Sequence, residues 1–90
     1  GIEGLTKSMA LDLAKHGIRV NTIAPTKTIV NPNEHKKNKK KLDIIVNKIP
    51  LRKFSTVKEI AGIAFFLTSD VASSITGTSI ISDGGWSAGK

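Results

Sequence analysis

Polar chemistry in this chain gathers where two short apolar runs end. The run 18–24 is entered through Gly17, stops at Pro25 and opens into Thr26, Lys27 and Thr28. Hydroxyls, an amine and unpaired backbone groups at such a place can hold a ligand, because open parallel sheets bind beyond the carboxyl ends of their strands. The second end is Ser82, Asp83, Gly84, Gly85 and Trp86. Asp83 and its glycines either line a site mouth or form a tight turn that needs positive φ. Asn21 is either a site amide or a tie from the strand to a neighbouring turn, and the tie is the simpler role. His16 and His35 have no third ligand at motif spacing, and the chain has no cysteine, so no metal site or disulfide is expected. Neither histidine has a carboxylate at a recognisable spacing that would make it a general base. His16 reads as a helix-end charge and His35 as a surface residue.

The formal net charge of the 90 residues is +7, which raises nucleic acid as a partner. The distribution argues otherwise. Five lysines crowd into residues 35–41, and outside 33–53 the charges nearly balance. Sequence-specific or stacking recognition brings arginine or aromatic side chains along with lysine. Here there is no tyrosine, and Trp86 and the three phenylalanines lie elsewhere. A solvated helix face is the expected reading, so no nucleic-acid partner is expected. No apolar run approaches the ~20 residues that cross a bilayer, and no signal peptide is visible. A cytoplasmic protein with no membrane partner is the expectation. The chain starts at Gly1, inside a helical pattern with no preceding cap, which reads either as the mark of processing or as a start within something larger.

The elements that position these residues follow from periodicity. Residues 1–17 read as a helix: Ile2, Leu5, Met9 and Leu13 form a stripe at helical spacing, with Ala10 and Ala14 beside it. Leu11 points the other way, either into the monomer or into an interface. Lys15 and His16 suit the negative end of the helix dipole, and Gly17 suits the left-handed C′ position. The run 18–24 reads as a strand covered on both faces, since Val20 and Ile23 point opposite ways. Pro25 ends it for want of an N–H. Residues 25–34 read as a loop and 35–50 as a helix with the stripe Leu42, Ile45, Val46 and Ile49. Thr56 and Glu59 spell a capping box for a third helix, with Ile60, Ile63, Ala64 and Leu67 as its buried stripe, broadened by Phe65 and Phe66. Residues 78–85 read as a short two-sided strand closing in a glycine turn. The order is helix, strand, lid helix, helix, strand. A strand–helix–strand unit places its strands parallel, so the fold class is α/β. Two strands apolar on both faces cannot be covered by these helices alone, so the isolated chain is expected to be aggregation-prone or partly molten.

The segments "GIEGLTKSMALDLAKHGIRVNTIAP", "IPLRKFSTVKEIAGIAFFLTSD" and "SSITGTSIISDGGW" together resemble the C-terminal half of the classical short-chain dehydrogenase/reductases. They come in the family's order and cover nearly the whole chain. The resemblance implies the C-terminal part of a Rossmann-type doubly wound parallel sheet, with residues 1–90 as one partial domain. It implies NAD or NADP as cofactor, an alcohol or carbonyl as substrate, and a homo-oligomer when complete, with the first helix in a four-helix dimer interface. The family's acid–base tyrosine and lysine, spaced Tyr-x-x-x-Lys, would precede Gly1. The resemblance therefore puts no catalytic residue in this chain, and the chain alone is expected to be inactive.

What the resemblance does imply here is the nicotinamide side of the site. The family's loop after this strand begins Pro-Gly and touches the nicotinamide carboxamide. The matching residues are Pro25, Thr26, Thr28 and Ile29, with Thr26 where glycine is usual. A family threonine a few residues on has Thr28 as its nearest hydroxyl, while Val30 or Asn31 takes its place if a gap intervenes. Residues 33–53 match the variable substrate lid in position. Trp86 reads as interface or pocket wall. Two other functional readings stay open: a basic module that binds nucleic acid, and a non-catalytic protein that dimerises through its first helix.

Overall fold

A computed structural model describes residues 1–29 and 31–89. Its chain forms α1 (Ile2–Leu13), β1 (Thr22–Pro25), β2 (Thr28–Ile29), α2 (Pro32–Lys37), α3 (Lys39–Val46), β3 (Ser55–Thr56), α4 (Val57–Leu67) and β4 (Ser79–Ser82), with 3-10 turns at Ala14–His16, Asp70–Ala72 and Trp86–Gly89. The contacts fall into two compact units: Gly1–Ala24 with Ala61–Ile81, and Pro25–Ile60 with Ser82–Lys90.

In the first unit β1 and β4 are neighbours in a two-stranded sheet. Two hydrogen bonds lead into the pairing, from Gly77 N to Val20 O at 2.7 Å and from Thr22 N to Thr78 O at 3.0 Å. They advance together along both segments, which is the parallel sense expected. The helix α1 passes into its 3-10 turn and stops at Gly17, whose φ of 70° and ψ of 21° are the left-handed values expected.

The apolar stripe of α1 does not form its buried face. Thr6 and Ala10 are the buried residues of the helix, and Ile2, Leu5, Met9 and Leu11 are exposed, Leu11 at 79%. The buried contacts need small or hydroxyl side chains. The Thr6 hydroxyl donates to Ile2 O at 2.7 Å and shares a 2.5 Å hydrogen bond with the Thr22 hydroxyl. Gly77 passes so close that a Cβ there would meet the Ala10 Cβ at 3.4 Å. The segment of α4 in this unit behaves alike: Leu67 is buried, Ala64 is exposed, and Phe65 is 77% exposed. Uncovered apolar surface is thus present, on both helices.

The second unit has its own core of Leu42, Ile49 and Phe54, with Ile29, Ile45, Val46 and Trp86 packed against it. Ile49 is 1% exposed, and burying such a side chain is worth roughly 1.5–3 kcal/mol. The ion pairs of this unit, Lys27–Glu34, Lys39–Asp43 and Lys53–Glu59, all lie partly in solvent, where screening leaves them little net effect. Apolar packing therefore carries the unit.

Three readings of the sequence are corrected, two in this unit and one in the first. The stretch 25–34 is not all loop. Thr28 and Ile29 form β2, parallel to β3 with Thr28 opposite Ser55 and Ile29 opposite Thr56, and α2 starts at residue 32. The lid helix is two helices, broken at Asn38, whose φ of −117° and ψ of 30° leave the helical region. The strand expected over 18–24 is assigned only from Thr22, because residues 19–21 spend their hydrogen bonds on side chains and turns. The capping box is present as expected: Thr56 N donates to Glu59 Oε1 at 2.9 Å, and Glu59 N to Thr56 Oγ1 at 3.1 Å.

Candidate functional site

The loop after β1 lies in the second unit and begins with an exposed Pro25. Thr26 is half-buried, and its Oγ1 is fully screened from solvent with no hydrogen-bond partner among the described residues. That is a costly state, since an unpaired buried hydroxyl loses about 1–3 kcal/mol. Beside it opens a cavity of about 240 Å³ lined by Thr26, Lys27, Ile45, Ile49 and Trp86. One orphaned hydroxyl among mainly apolar walls suits a mostly apolar ligand that carries one polar group.

Pro25 ends β1. Thr28 and Ile29 are half-buried in β2, and Ile29 packs on the Leu42–Ile49–Phe54 cluster, so it supports the cavity wall and does not line it. Asn31 caps α2, its side chain accepting from Asn33 N at 2.9 Å, which commits that amide to structure. Val30 lies outside the described residues. Ile45, Ile49 and Lys27 line the cavity although the sequence marked the first two only as a helix stripe. Trp86 lines the same cavity.

The second strand end is a built turn. Gly84 and Gly85 have φ of 64° and 94°. The Asp83 carboxylate accepts from Gly85 N at 3.0 Å, Ser87 N at 2.9 Å and Ser87 Oγ at 2.7 Å. Ser55 Oγ donates to Ser82 O at 2.6 Å, tying the turn to β3. These bonds hold the backbone that carries Trp86. The Ser87 hydroxyl first, then the Ser87 and Gly85 amides, hold the Asp83 carboxyl below its ordinary value. A lowered folded pKa gives stability that is present above the unfolded value and lost as pH falls through the folded one. The window is acid, below about pH 4. Asp83→Asn is therefore expected to flatten the fall in urea midpoint between neutral and acid pH relative to the parent. Parallel falls in both proteins would contradict this.

His35 is not a bare surface residue. Its Nε2 lies 2.9 Å from Asp43 Oδ1, and its ring meets Phe54 edge-on at 5.9 Å. It joins α2 to α3 across the Asn38 break. In the first unit Asn21 is a tie, as expected: its Nδ2 donates to Ile75 O at 3.0 Å and its Oδ1 accepts from Thr78 N at 3.1 Å. Arg19 reaches Ile75 O at 3.1 Å and Leu67 O, at the end of α4, at 2.7 Å. Among the described residues no three His, Cys, Asp or Glu side chains are placed to hold a metal ion, and no helix is long and apolar enough to cross a membrane.

Residues 1–87 match the protein family described as enoyl-(acyl carrier protein) reductase. The chain is 35% identical, over a 99-residue alignment, to D-beta-hydroxybutyrate dehydrogenase of Rhizobium meliloti, covering 98% of this chain and 38% of that protein. It is 42% identical over 85 residues to the 3-oxoacyl-(acyl-carrier-protein) reductase FabG of Rickettsia conorii, covering 94% of this chain and 35% of the other. The crystal structure of a short chain dehydrogenase family protein from Francisella tularensis superposes with a TM-score of 0.84 at 34% identity, over 97% of this chain and 40% of that one. The chain thus spans 38% and 35% of the length of these two curated relatives.

Proposed function

The chain belongs to the short-chain dehydrogenase/reductase family, and from that premise we propose that the whole protein is an NAD- or NADP-dependent oxidoreductase acting on an alcohol or carbonyl. The observation that carries the reading is the buried, unpartnered Thr26 hydroxyl at a cavity walled by Ile45, Ile49 and Trp86. A nicotinamide ring is flat and largely apolar and bears one carboxamide, so these residues fit it. Bound there, the cofactor would give or take the hydride as carbonyl and alcohol interconvert.

This chain's own part is binding and orientation. Pro25 stiffens the entry to the loop. Thr26 offers a hydroxyl that donates to or accepts from the carboxamide. Ile45, Ile49 and Trp86 exclude water from the ring face. Ile29 and Thr28 hold the loop in register through β2. The ninety residues contain no tyrosine, so the acid–base tyrosine of the family is assigned to the remainder of the whole protein, and the ninety residues alone are expected to be inactive. The exposed Ile2, Leu5, Met9 and Leu11 of α1 support assembly as a homo-oligomer. A cytoplasmic site of action without nucleic-acid or membrane partners is part of the same reading.

The test is cofactor binding by the whole protein, followed by nicotinamide fluorescence with NADH and NADPH in parallel, which also decides between them. Thr26→Val keeps the shape and removes the hydroxyl. It is expected to weaken binding of the preferred cofactor about tenfold, the scale of one buried hydrogen bond. Absence of saturable binding by either cofactor would overturn the reading, and unchanged affinity in Thr26→Val would remove Thr26 from the site.

A further inference from the structure

A second cleft of about 260 Å³ adjoins the Thr26 cavity and is lined by Lys27, Glu34, Asn38, Lys41, Leu42 and Ile45. The two share Lys27 and Ile45. Asn38, Lys41, Leu42 and Ile45 follow the i, i+3, i+4, i+7 spacing, so α3 and the residue before it present one face to this cleft. Leu42 and Ile45 form an apolar stretch there.

The polar groups are unequally committed. Lys27 is paired with Glu34, and the Asn38 amide donates to Glu34 O at 3.4 Å. The side chain of the exposed Lys41 makes no ion pair or hydrogen bond among the described residues, although its neighbour Lys39 is paired with Asp43. One cation on this cleft is therefore left without a counter-charge. It lies within residues 33–53, where nearly all of the chain's excess positive charge resides.

We infer that the cleft selects a small carbonyl substrate that ends in an oxyanion, a carboxylate or phosphate held at Lys41 with its aliphatic stem along Leu42 and Ile45. The inference rests on the proposed oxidoreductase reading, because the shared wall of Ile45 and Lys27 brings the substrate's other end toward the cavity assigned to the nicotinamide. It explains why the cleft combines an apolar floor with an uncompensated amine. An ammonium on a flexible stem meets an oxyanion as a point charge and sets no demand on its shape, so carboxylate and phosphate are both admitted.

The experiment compares kcat/KM of the whole protein for a keto acid, its methyl ester and a keto phosphate of equal length. The charged substrates are expected to be preferred, and Lys41→Gln to lower the charged-to-ester ratio about tenfold, the scale of one charge-assisted hydrogen bond. Lys40→Gln removes the same charge one residue away and off the cleft, so it is expected to leave the ratio in place. A preference for carboxylate over phosphate, or the reverse, identifies the oxyanion. Turnover of all three with no charge preference, or an equal loss in both variants, overturns the inference and leaves the oxidoreductase reading standing. Calorimetric titration with glutarate reads the cleft without turnover. Saturable binding weakened in Lys41→Gln supports the inference, and no saturable heat overturns it even where the cofactor binds.

Discussion

Gly84→Ala is expected to lower the stability of the second unit by about 2–5 kcal/mol, against little or no loss for Gly62→Ala. Two terms add at position 84. Its φ of 64° lies in the left-handed region, which costs an L-residue roughly 1–2 kcal/mol. A Cβ there would also stand 2.5 Å from Ile49 Cγ2 and 3.6 Å from both Leu51 Cβ and Lys53 O. Overpacking of this kind typically costs about 1–3 kcal/mol. Relief is restricted on both sides. Ile49 is almost wholly buried among Leu42 and Phe54, and a β-branched side chain has little freedom at χ1. The backbone is pinned too, because Leu51 N donates to Gly84 O at 2.9 Å. Gly62 is the contrasting case: it lies within α4 and a Cβ there meets nothing within 4 Å. Urea denaturation of the whole protein and its two variants measures the difference. Equal midpoints for Gly84→Ala and the parent would show that the turn yields, and would remove the rigid support argued for Trp86.

This contrast bears on what could be read in advance. The sequence made the glycine turn visible, since Asp83, Gly84 and Gly85 spell positive φ, and left open whether the turn served a site or only itself. The partner of Gly84 is Ile49, 35 positions away in sequence, and no spacing rule connects them. Local chemistry was legible in the same manner elsewhere. The Thr56–Glu59 box, the Gly17 stop and the Asn21 tie each depend on groups that a short segment brings together, or on a side chain with few alternatives. Parallel β1 and β4 followed from the order of elements, because a helical crossover leaves no other arrangement.

Three features were not legible, each for a physical reason. The stripe of α1 shows that Ile2, Leu5 and Met9 share a face, and periodicity cannot say what covers that face. Among the described residues nothing buries it, and the contact that forms uses Thr6 and Ala10. A two-residue strand such as β2 has no period to detect, so it was hidden in loop chemistry. The break at Asn38 sits within a run of lysines that are fair helix formers, and it shows only in the backbone angles. The site residues divide along the same line. Thr26 could be named from the resemblance, but its buried and unpartnered hydroxyl emerges only in three dimensions, as does the position of Trp86 across from Ile45 and Ile49.

Asn21→Ala is expected to cost about 1–3 kcal/mol and to couple with Arg19→Met. Replacing Asn21 removes a donor to Ile75 O and the acceptor for Thr78 N. The Thr78 amide is then left without its partner, which accounts for most of the loss. The Ile75 carbonyl is different, because Arg19 Nη1 still donates to it at 3.1 Å. Arg19→Met alone leaves Asn21 on that carbonyl and costs the bond to Leu67 O at the end of α4. Only the double variant strips Ile75 O of both donors. Its loss should therefore exceed the sum of the single losses by about 0.5 kcal/mol or more, the scale found for residues that share a network. Thr76→Val is a useful neighbour: it removes the acceptor of Val20 N without touching that carbonyl, so it should add to Asn21→Ala with no excess. Strict additivity of Arg19→Met with Asn21→Ala would mean that the two side chains hold their segments independently. The "IRVN" run would then be two separate anchors and not one clamp joining β1 to the turn before β4.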